Sequence, residues 1–393
     1  MKVAIVHDWL TGMRGGEKCL EVFCELFPTA DLFTLVHLKG KMSQTIERMN
    51  IQTSFLQHLP FVEHLYRSYL PLMPTAIEAF DLTQYDLVLS SSHCVAKGVM
   101  TRPDTCHICY CYTPMRYAWD QYHLYFSSQR AGRVSKFLLP PIFNYLRLWD
   151  VISAARVDHF VSISHHVARR IWKYYRRRSE VIYPPVNTSF FTPEGNPEDY
   201  FLLVSALVPY KRTDLAIEVF NRAGWPLKII GNGPEERNLK AFARRNIEFL
   251  GWRSDEELRS YYARCRALIF PGEEDFGIVP LEAQATGRPV IAFGQGGVLE
   301  TVIPLNGEDL DEHSSKETLF PTGLFFREQT PDALLKALTL FEKSEDRFQR
   351  SKIREHALKF ERSLFKEKIE RVIVEKFQEY GATGSKEIDA EEV

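Results

Sequence analysis

Short apolar runs alternating with stretches of helical periodicity organise this chain. Val3-Ala-Ile-Val6 is apolar and partly β-branched, the mark of a buried strand. Asp8-Trp-Leu-Thr-Gly-Met-Arg-Gly-Gly16 reads as a glycine-rich turn, after which Leu20, Phe23, Cys24 and Phe27 recur at helical spacing over residues 17–27. Strand, turn and helix make the first unit of a βαβ arrangement. Residues 31–36, 87–89, 107–112 and 160–163 are the next expected strands, with helical residues at 151–155 and a basic helix after 163.

Near residue 183 the texture changes. Tyr183-Pro-Pro-Val-Asn187 and Thr192-Pro-Glu-Gly-Asn-Pro197 are dense in turn formers and have no periodicity. A second series follows, with strands expected at 201–204, 227–230, 247–250, 267–270 and 289–292 and a helix over 213–222. Alternation of this kind, twice over, predicts an α/β fold of two Rossmann-like, doubly wound parallel-sheet domains. The expected division is a first domain at 1–185, a linker at 186–199 and a second domain at 200–360. A C-terminal helix at 361–380 is expected to pack back on the first domain, and 381–393 to be a frayed tail. Ligands of such sheets bind at the carboxyl ends of strands, so the glycine clusters are expected to line one cleft.

Composition narrows the function. The 393 residues are 45% hydrophobic and 25% charged, a globular balance with room for two domains. Lys plus Arg number 49 and Asp plus Glu 51, so the formal net charge of -2 excludes a polybasic nucleic-acid coat, and no nucleic-acid partner is expected. No uncharged apolar run reaches the ~18 residues that span a bilayer, and His7 and Asp8 end the opening apolar run too early for a signal segment. Seven cysteines, an odd and sparse set, make no disulfide framework, so a reduced cytoplasmic setting is expected. Cys106-His-Ile-Cys109-Tyr-Cys111 has zinc-ligand chemistry but reads as an apolar strand, and Asp309-Leu-Asp311 sits in a polar loop. No metal site is expected.

The chemistry concentrates between Phe270 and Val290. Glu274 and Glu282 are eight apart with Phe276-Gly277-Ile278 between them. A helix starting near Val279 leaves Glu274 in the loop before it and Glu282 one turn inside, so both carboxylates can face one pocket. Gly277 lets a ligand approach the backbone, and amides at a helix start bind anions. Carboxylates for sugar hydroxyls beside amides for phosphate suit a nucleotide sugar. Two glutamates by themselves fit a capped helix with solvated acids better.

The order of motifs adds a resemblance. Glu274 to Glu282 matches an E-x7-E motif, Gly287-Arg-Pro-Val-Ile291 the strand after it, and Gly294-Gln-Gly-Gly297 with Glu300 a following turn. With Gly15-Gly16, Pro185-Val-Asn187, Lys211, Ile230-Gly-Asn-Gly233 and Gly251 in sequence, nearly the whole chain resembles GT-B-fold retaining glycosyltransferases of family 4, group 1. Tyr112-Thr-Pro-Met-Arg-Tyr-Ala-Trp-Asp120 and Val208-Pro-Tyr-Lys-Arg-Thr-Asp214 are similar to its WbaZ-like mannosyltransferase branch.

The resemblance implies roles. Lys211 corresponds to the diphosphate-binding lysine, with Arg212 as a second cation and the Gly15 and Gly16 amides approaching the same diphosphate. Glu274 corresponds to the carboxylate orienting donor sugar hydroxyls, with Phe276, Gly277 and Ile278 beside it, and Glu282 to the one holding the ribose. Gly231, Gly233 and Arg253 fall where the family holds the nucleobase. Lys211 and Glu274 are thus the expected catalytic residues. The resemblance further implies a nucleotide-diphosphate sugar donor, GDP-mannose above others, with no cofactor or metal. It implies a glycan or polyprenyl-diphosphate-linked saccharide acceptor. Two positions depart from the pattern: Ala206 stands where many members carry arginine, and Tyr112 where many carry histidine. His93, Tyr112 and Arg116 are therefore the candidate first-domain site residues.

The run Arg169-Arg170, Lys173 and Arg176-Arg-Arg178 shares a predicted helix with Ile171, Trp172, Tyr174 and Tyr175. It suits contact with nucleic acid, anionic lipid or a lipid diphosphate acceptor about as well as a solvated helix face. The apolar residues 137–146, flanked by Arg130, Arg133, Lys136 and Arg147, are expected to be broken by Pro140-Pro141 and fit a membrane dock or core packing. These two features motivate the expectation of a lipid-linked glycan acceptor and of peripheral contact at the inner face of a membrane. Alternative readings are a GT-B-fold sugar-nucleotide epimerase and a non-catalytic sugar-nucleotide-binding subunit.

Overall fold

The apolar runs at residues 3–6 and 201–204 each start a parallel sheet. A computed structural model of the chain describes residues 1–120, 122, 133–305 and 320–390. The chain forms two units, one of Met1–Tyr183 with Phe365–Val393 and one of Pro184–Leu364. The first sheet contains β1 (Val3–His7), β2 (Asp31–Thr34), β3 (Asn50–Thr53), β4 (Leu87–Ser92), β5 (Cys106–Cys111), β6 (His159–Ser162) and β7 (Ser179–Val181). Its order is β3-β2-β1-β4-β5-β6-β7, all parallel. The direction of winding reverses between β1 and β4, and such a reversal opens a crevice at the strands' carboxyl ends.

The second sheet contains β8 (Phe201–Val204), β9 (Leu227–Ile230), β10 (Ile247–Gly251), β11 (Leu268–Phe270), β12 (Val290–Phe293) and β13 (Gly323–Phe326). Its order is β10-β9-β8-β11-β12-β13, with the reversal between β8 and β11. Both sheets are doubly wound, as the alternating pattern predicts. Helices cover both faces, so central strands are buried throughout and read as continuous apolar runs.

Three strands fall outside the sequence expectation. β3 and β7 lie at opposite edges of their sheet and have alternately exposed positions, so their apolar signal is thin. β13 was not anticipated from Gly323-Leu-Phe-Phe326. β4 runs on through Ser90, Ser91 and Ser92, all buried. Hydrogen bonds satisfy these polar residues: Ser90 Oγ lies 2.8 Å from His107 Nε2 and Ser91 Oγ 3.0 Å from His7 Nδ1.

Pro140 and Pro141 do not break the helix. One helix, Arg133–Ala154, passes through both. Each proline removes one backbone donor and crowds the preceding turn, but Phe143, Leu146 and Trp149 in the following turns are buried in the first unit's core. The segment expected as a linker is part of the second unit. Val186 N–H donates to the Phe360 carbonyl, Arg354 bonds the Phe191 carbonyl, and the Phe191 ring is buried against Tyr262. The last helix, Arg362–Ala390, continues past residue 381, where the sequence suggested fraying. Its Phe365 ring meets Phe23 and Tyr110, and Lys366 pairs with Glu25 at 3.2 Å, all within the first unit.

The basic run is divided by the fold. Its helix ends at Tyr175, and Arg176 closes it in a left-handed conformation at φ 55. Ile171 and Tyr175 face inward, Arg170 pairs with Asp120 at 2.6 Å, and Arg177 donates to the Ala154 and Asp158 carbonyls. Arg169, Trp172, Lys173, Arg176 and Arg178 are left exposed. The cysteines of β5 are free and buried, and burial pushes the Cys106 thiol up to about 12, as a core strand requires. Asp309, Asp311 and Arg130 lie outside the described residues.

Candidate functional site

The loops that follow β8 and β11 meet at the second sheet's reversal. After β8 the chain forms a short 3-10 turn, Pro209–Lys211, and Arg212 takes a left-handed conformation at φ 55 to start the helix Thr213–Ala223. After β11 it forms the loop carrying Glu274. The Lys211 ammonium pairs directly with the Glu274 carboxylate, both side chains partly exposed. The loops approach backbone to backbone: a Cβ on Gly272 would sit 3.0 Å from the Lys211 Cα. Gln329, which the sequence reading did not single out, ties the loops together. Its Nε2 donates to the Pro271 carbonyl at 2.8 Å and its Oε1 accepts from Arg212 Nη1 at 3.3 Å. Arg212 is also 3.3 Å from Asp214.

Glu274 is held at its main chain by the turn after β12, where Gly297 N–H donates to the Glu274 carbonyl at 2.8 Å. Gly296 and Gly297 pack against this loop so closely that side chains there would strike its backbone. The helix Ile278–Ala285 starts at Gly277, whose φ of 108 favours glycine. Glu282 is buried one turn in and accepts a hydrogen bond from Tyr262 OH at 3.1 Å. The Phe276 ring is buried against Phe360, so its contribution to a ligand is limited to backbone.

The expected nucleobase residues have other contacts. A Cβ on Gly231 would collide with the Ser205 carbonyl oxygen and one on Gly233 with that of Leu207, while Gly231 N–H donates to the Gly251 carbonyl at 2.9 Å. These glycines allow the loops after β8, β9 and β10 to lie against one another. Arg253, just beyond β10, contacts the Trp252 carbonyl and Glu257, not Lys211 or Glu274.

In the first unit, Gly15 and Gly16 form the first turn of the helix Gly15–Leu26 instead of preceding it. Tyr112 OH donates to the Gly16 carbonyl at 2.8 Å, so its oxygen accepts from Ser91 Oγ at 2.8 Å, and Ser91 in turn accepts from His7 Nδ1 at 3.0 Å. Burial holds the Tyr112 phenol well above its ordinary pKa. Tyr112 is therefore a neutral strut between β4, β5 and the first helix. Glu17 lies 3.9 Å from His7 Nε2 and reaches back to the Arg14 N–H at 3.1 Å. Burial opposes its ionisation, but the His7 hydrogen bond and charge leave its pKa lowered. Arg116 is half-buried in the segment after β5.

In the sequence Asp8 ends an apolar run and opens the glycine-rich turn, with no sign of a site. Fully buried, it accepts from the N–H groups of His93, Cys94, Val95 and Ala96 at 2.7, 3.0, 2.6 and 2.8 Å. It also lies 2.9 Å from His93 Nδ1. Burial pushes the Asp8 carboxyl up, yet the charge and hydrogen bonds of His93 hold it well below the usual carboxylate range. No sequence period signals this, because the partners are 85 residues or more apart.

Known proteins share features with the second unit. Residues 187–360 match the family model of glycosyl transferases group 1. The O-antigen chain mannosyltransferase RfbU of Salmonella typhimurium is 32% identical over 161 residues, 37% of this chain and 45% of that protein. A GDP-mannose-dependent monoacylated alpha-(1-6)-phosphatidylinositol monomannoside mannosyltransferase of Corynebacterium glutamicum is 34% identical over 131 residues, 28% of this chain and 34% of that protein. The matches thus span less than half of either relative. Sucrose-phosphate synthase from Thermosynechococcus elongatus has a similar fold, with TM-score 0.71 and 16% identity over 96% of this chain and 100% of that one. Its likeness is one of fold alone, the GT-B fold. The match to glycosyl transferases group 1 thus falls within the second unit, Pro184–Leu364.

Proposed function

We propose that the chain is a retaining, metal-independent glycosyltransferase that moves mannose from GDP-mannose to a glycan or polyprenyl-diphosphate-linked saccharide in cell-surface polysaccharide synthesis. The observation that carries this reading is the Lys211–Glu274 pair, at the second sheet's reversal and inside the segment matched by the family. As the anomeric bond breaks, the departing diphosphate needs a fixed cation. Lys211 supplies it, with Arg212 adjacent, and the helix start at Gly277–Ile278 adds oriented amides. Glu274, released from its ammonium partner, accepts from the sugar hydroxyls, and Glu282 accepts from the ribose. Exchange of one ion pair for contacts to both halves of the donor favours a sugar diphosphate over either half alone.

Mannose and GDP are supported by the names of the Salmonella and Corynebacterium relatives, and a lipid-linked acceptor by the latter. Among the described residues no helix is long and apolar enough to cross a membrane. Exposed Leu148 and Ile152 on the helix Arg133–Ala154 and exposed Trp172 support peripheral contact with the inner face of a membrane. The experiment is a thermal-shift screen of GDP-, UDP- and ADP-sugars, followed by transfer with the donor that stabilises most. Lys211→Ala and Glu274→Ala should each lower transfer about 100-fold or more with the unfolding temperature unchanged. Near-full activity in either would sink the assignment. Isomerised donor released without acceptor would make the chain an epimerase, and binding without product a binding subunit.

A further inference from the structure

The first sheet has its own reversal, between β1 and β4, and one pair of side chains stands there. Asp8 is the residue after β1 and His93 the residue after β4, with His7 and Ser91 in register between them. A carboxylate only accepts hydrogen bonds, so the imidazole nitrogen 2.9 Å from it, Nδ1, carries a proton. Four main-chain donors fix the carboxylate from the other side, and the Trp9 ring meets the imidazole edge-on at 4.5 Å. The His93 ring therefore has one orientation. Its side chain is 31% exposed while that of Asp8 is 0%, and no group among the described residues pairs with Nε2. A buried, fully bonded carboxylate that orients a partly exposed imidazole at the carboxyl ends of the strands, where such sheets bind ligands, exceeds what capping the turn at residues 93–96 requires.

We infer that His93 contacts the substrate through Nε2–H, donating to a hydroxyl or phosphate oxygen of a saccharide substrate, and that Asp8 is its positioning residue. The inference rests on the glycosyl-transfer reading for the identity of the substrate and on the Asp8–His93 geometry for the contact. The groups facing His93 are Asp8 after β1, His7 at the end of β1, Arg14 and Glu17 at the start of the first helix, and Tyr112 after β5. Burial alone would lower the imidazole's pKa and Arg14 works in the same direction, but Asp8 and Glu17 outweigh them and raise it. With the folded value above the ordinary 6.5, the donating form is complete below that value and is lost as pH rises through the raised one.

The test uses the full chain labelled with 15N-histidine, its His93 signal among the 12 histidines assigned by its loss in His93→Gln. His93 should titrate above the ordinary 6.5, and Asp8→Asn should move that titration down. GDP-mannose and a mannose disaccharide are added separately. A shift at Nε2 with the first assigns the contact to the donor, and with the second to the acceptor. No shift with either overturns the proposal, as does ordinary titration of His93. In transfer, His93→Ala should lower kcat/KM about 100-fold. The fall of wild-type kcat/KM at high pH should vanish in His93→Gln, an effect that a purely structural histidine would not produce. Because the ring signal needs no turnover, loss of the glycosyl-transfer reading and loss of the His93 contact are separate outcomes. If Asp8→Asn does not fold, His93→Gln, which leaves the carboxylate and its four main-chain donors intact, decides the question.

Discussion

Gly231 serves a packing role that its position in a nucleobase motif conceals. Its φ of 132 and the nearness of the Ser205 carbonyl leave no place for a methyl group. Gly231→Ala should therefore destabilise the second unit by about 1–3 kcal/mol, the cost of overpacking, measured by urea unfolding. If the glycine acts only by permitting this close approach, donor affinity should fall no further than the lost folded fraction predicts. A larger fall in affinity would restore the direct nucleobase role. Glu274 and Glu282 could be singled out in the sequence because a fixed spacing across one loop and one helix carries them, and Lys211 only through the family resemblance. Asp8 and Glu17 were not, since each depends on groups brought together by the parallel sheet. Tyr112 could be located but not interpreted, because its partners Gly16 and Ser91 come from two distant elements.

Elements in this chain are fixed by long-range polar anchors as much as by local preference. The helix Arg133–Ala154 survives two prolines, and its last turns are anchored through Asp150 to Lys97, in the turn after β4. Lys97 is 1% exposed, and its ammonium lies 2.8 Å from Asp150 Oδ1 and 2.8 Å from Ser153 Oγ. Asp150 Oδ2 also accepts from Trp119 Nε1 and Tyr175 OH at 2.8 and 2.9 Å. Removing one partner of a buried pair strands the other charge, at about 3–5 kcal/mol. Lys97→Met should cost that much in urea unfolding, and adding Asp150→Leu should recover part of it. Equal stability of the single and double variants would show that the other partners of Asp150 already neutralise the site. The same logic explains where the sequence misled: periodicity reports apolar burial, while Ser90 to Ser92 in β4 and Asp150 are buried through hydrogen bonds.

The whole molecule is two units, the first of them discontinuous in sequence. The chain enters the second unit at Pro184 and leaves it at Leu364, so residues 365–393 return to complete the first. Phe365, Ile369, Val372 and Ile373 are 3%, 1%, 1% and 2% exposed. Burial of four such side chains contributes about 1.5–3 kcal/mol each, hence roughly 6–12 kcal/mol as an upper estimate. A domain's total stability is about 5–15 kcal/mol, so the first unit should not stay folded without this helix. The second unit takes none of its buried residues from 365–393. Deleting residues 365–393 should then abolish slow amide exchange in β1, β4 and β5 while leaving it in β8, β11 and β12. Donor binding should persist to the extent that Lys211, Glu274 and Glu282 carry it, and transfer should be lost with the first unit. Persistent protection of β5 in the truncated chain would mean that the strands and the helix Gly15–Leu26 suffice. The C-terminal helix would then cover a core that is already stable.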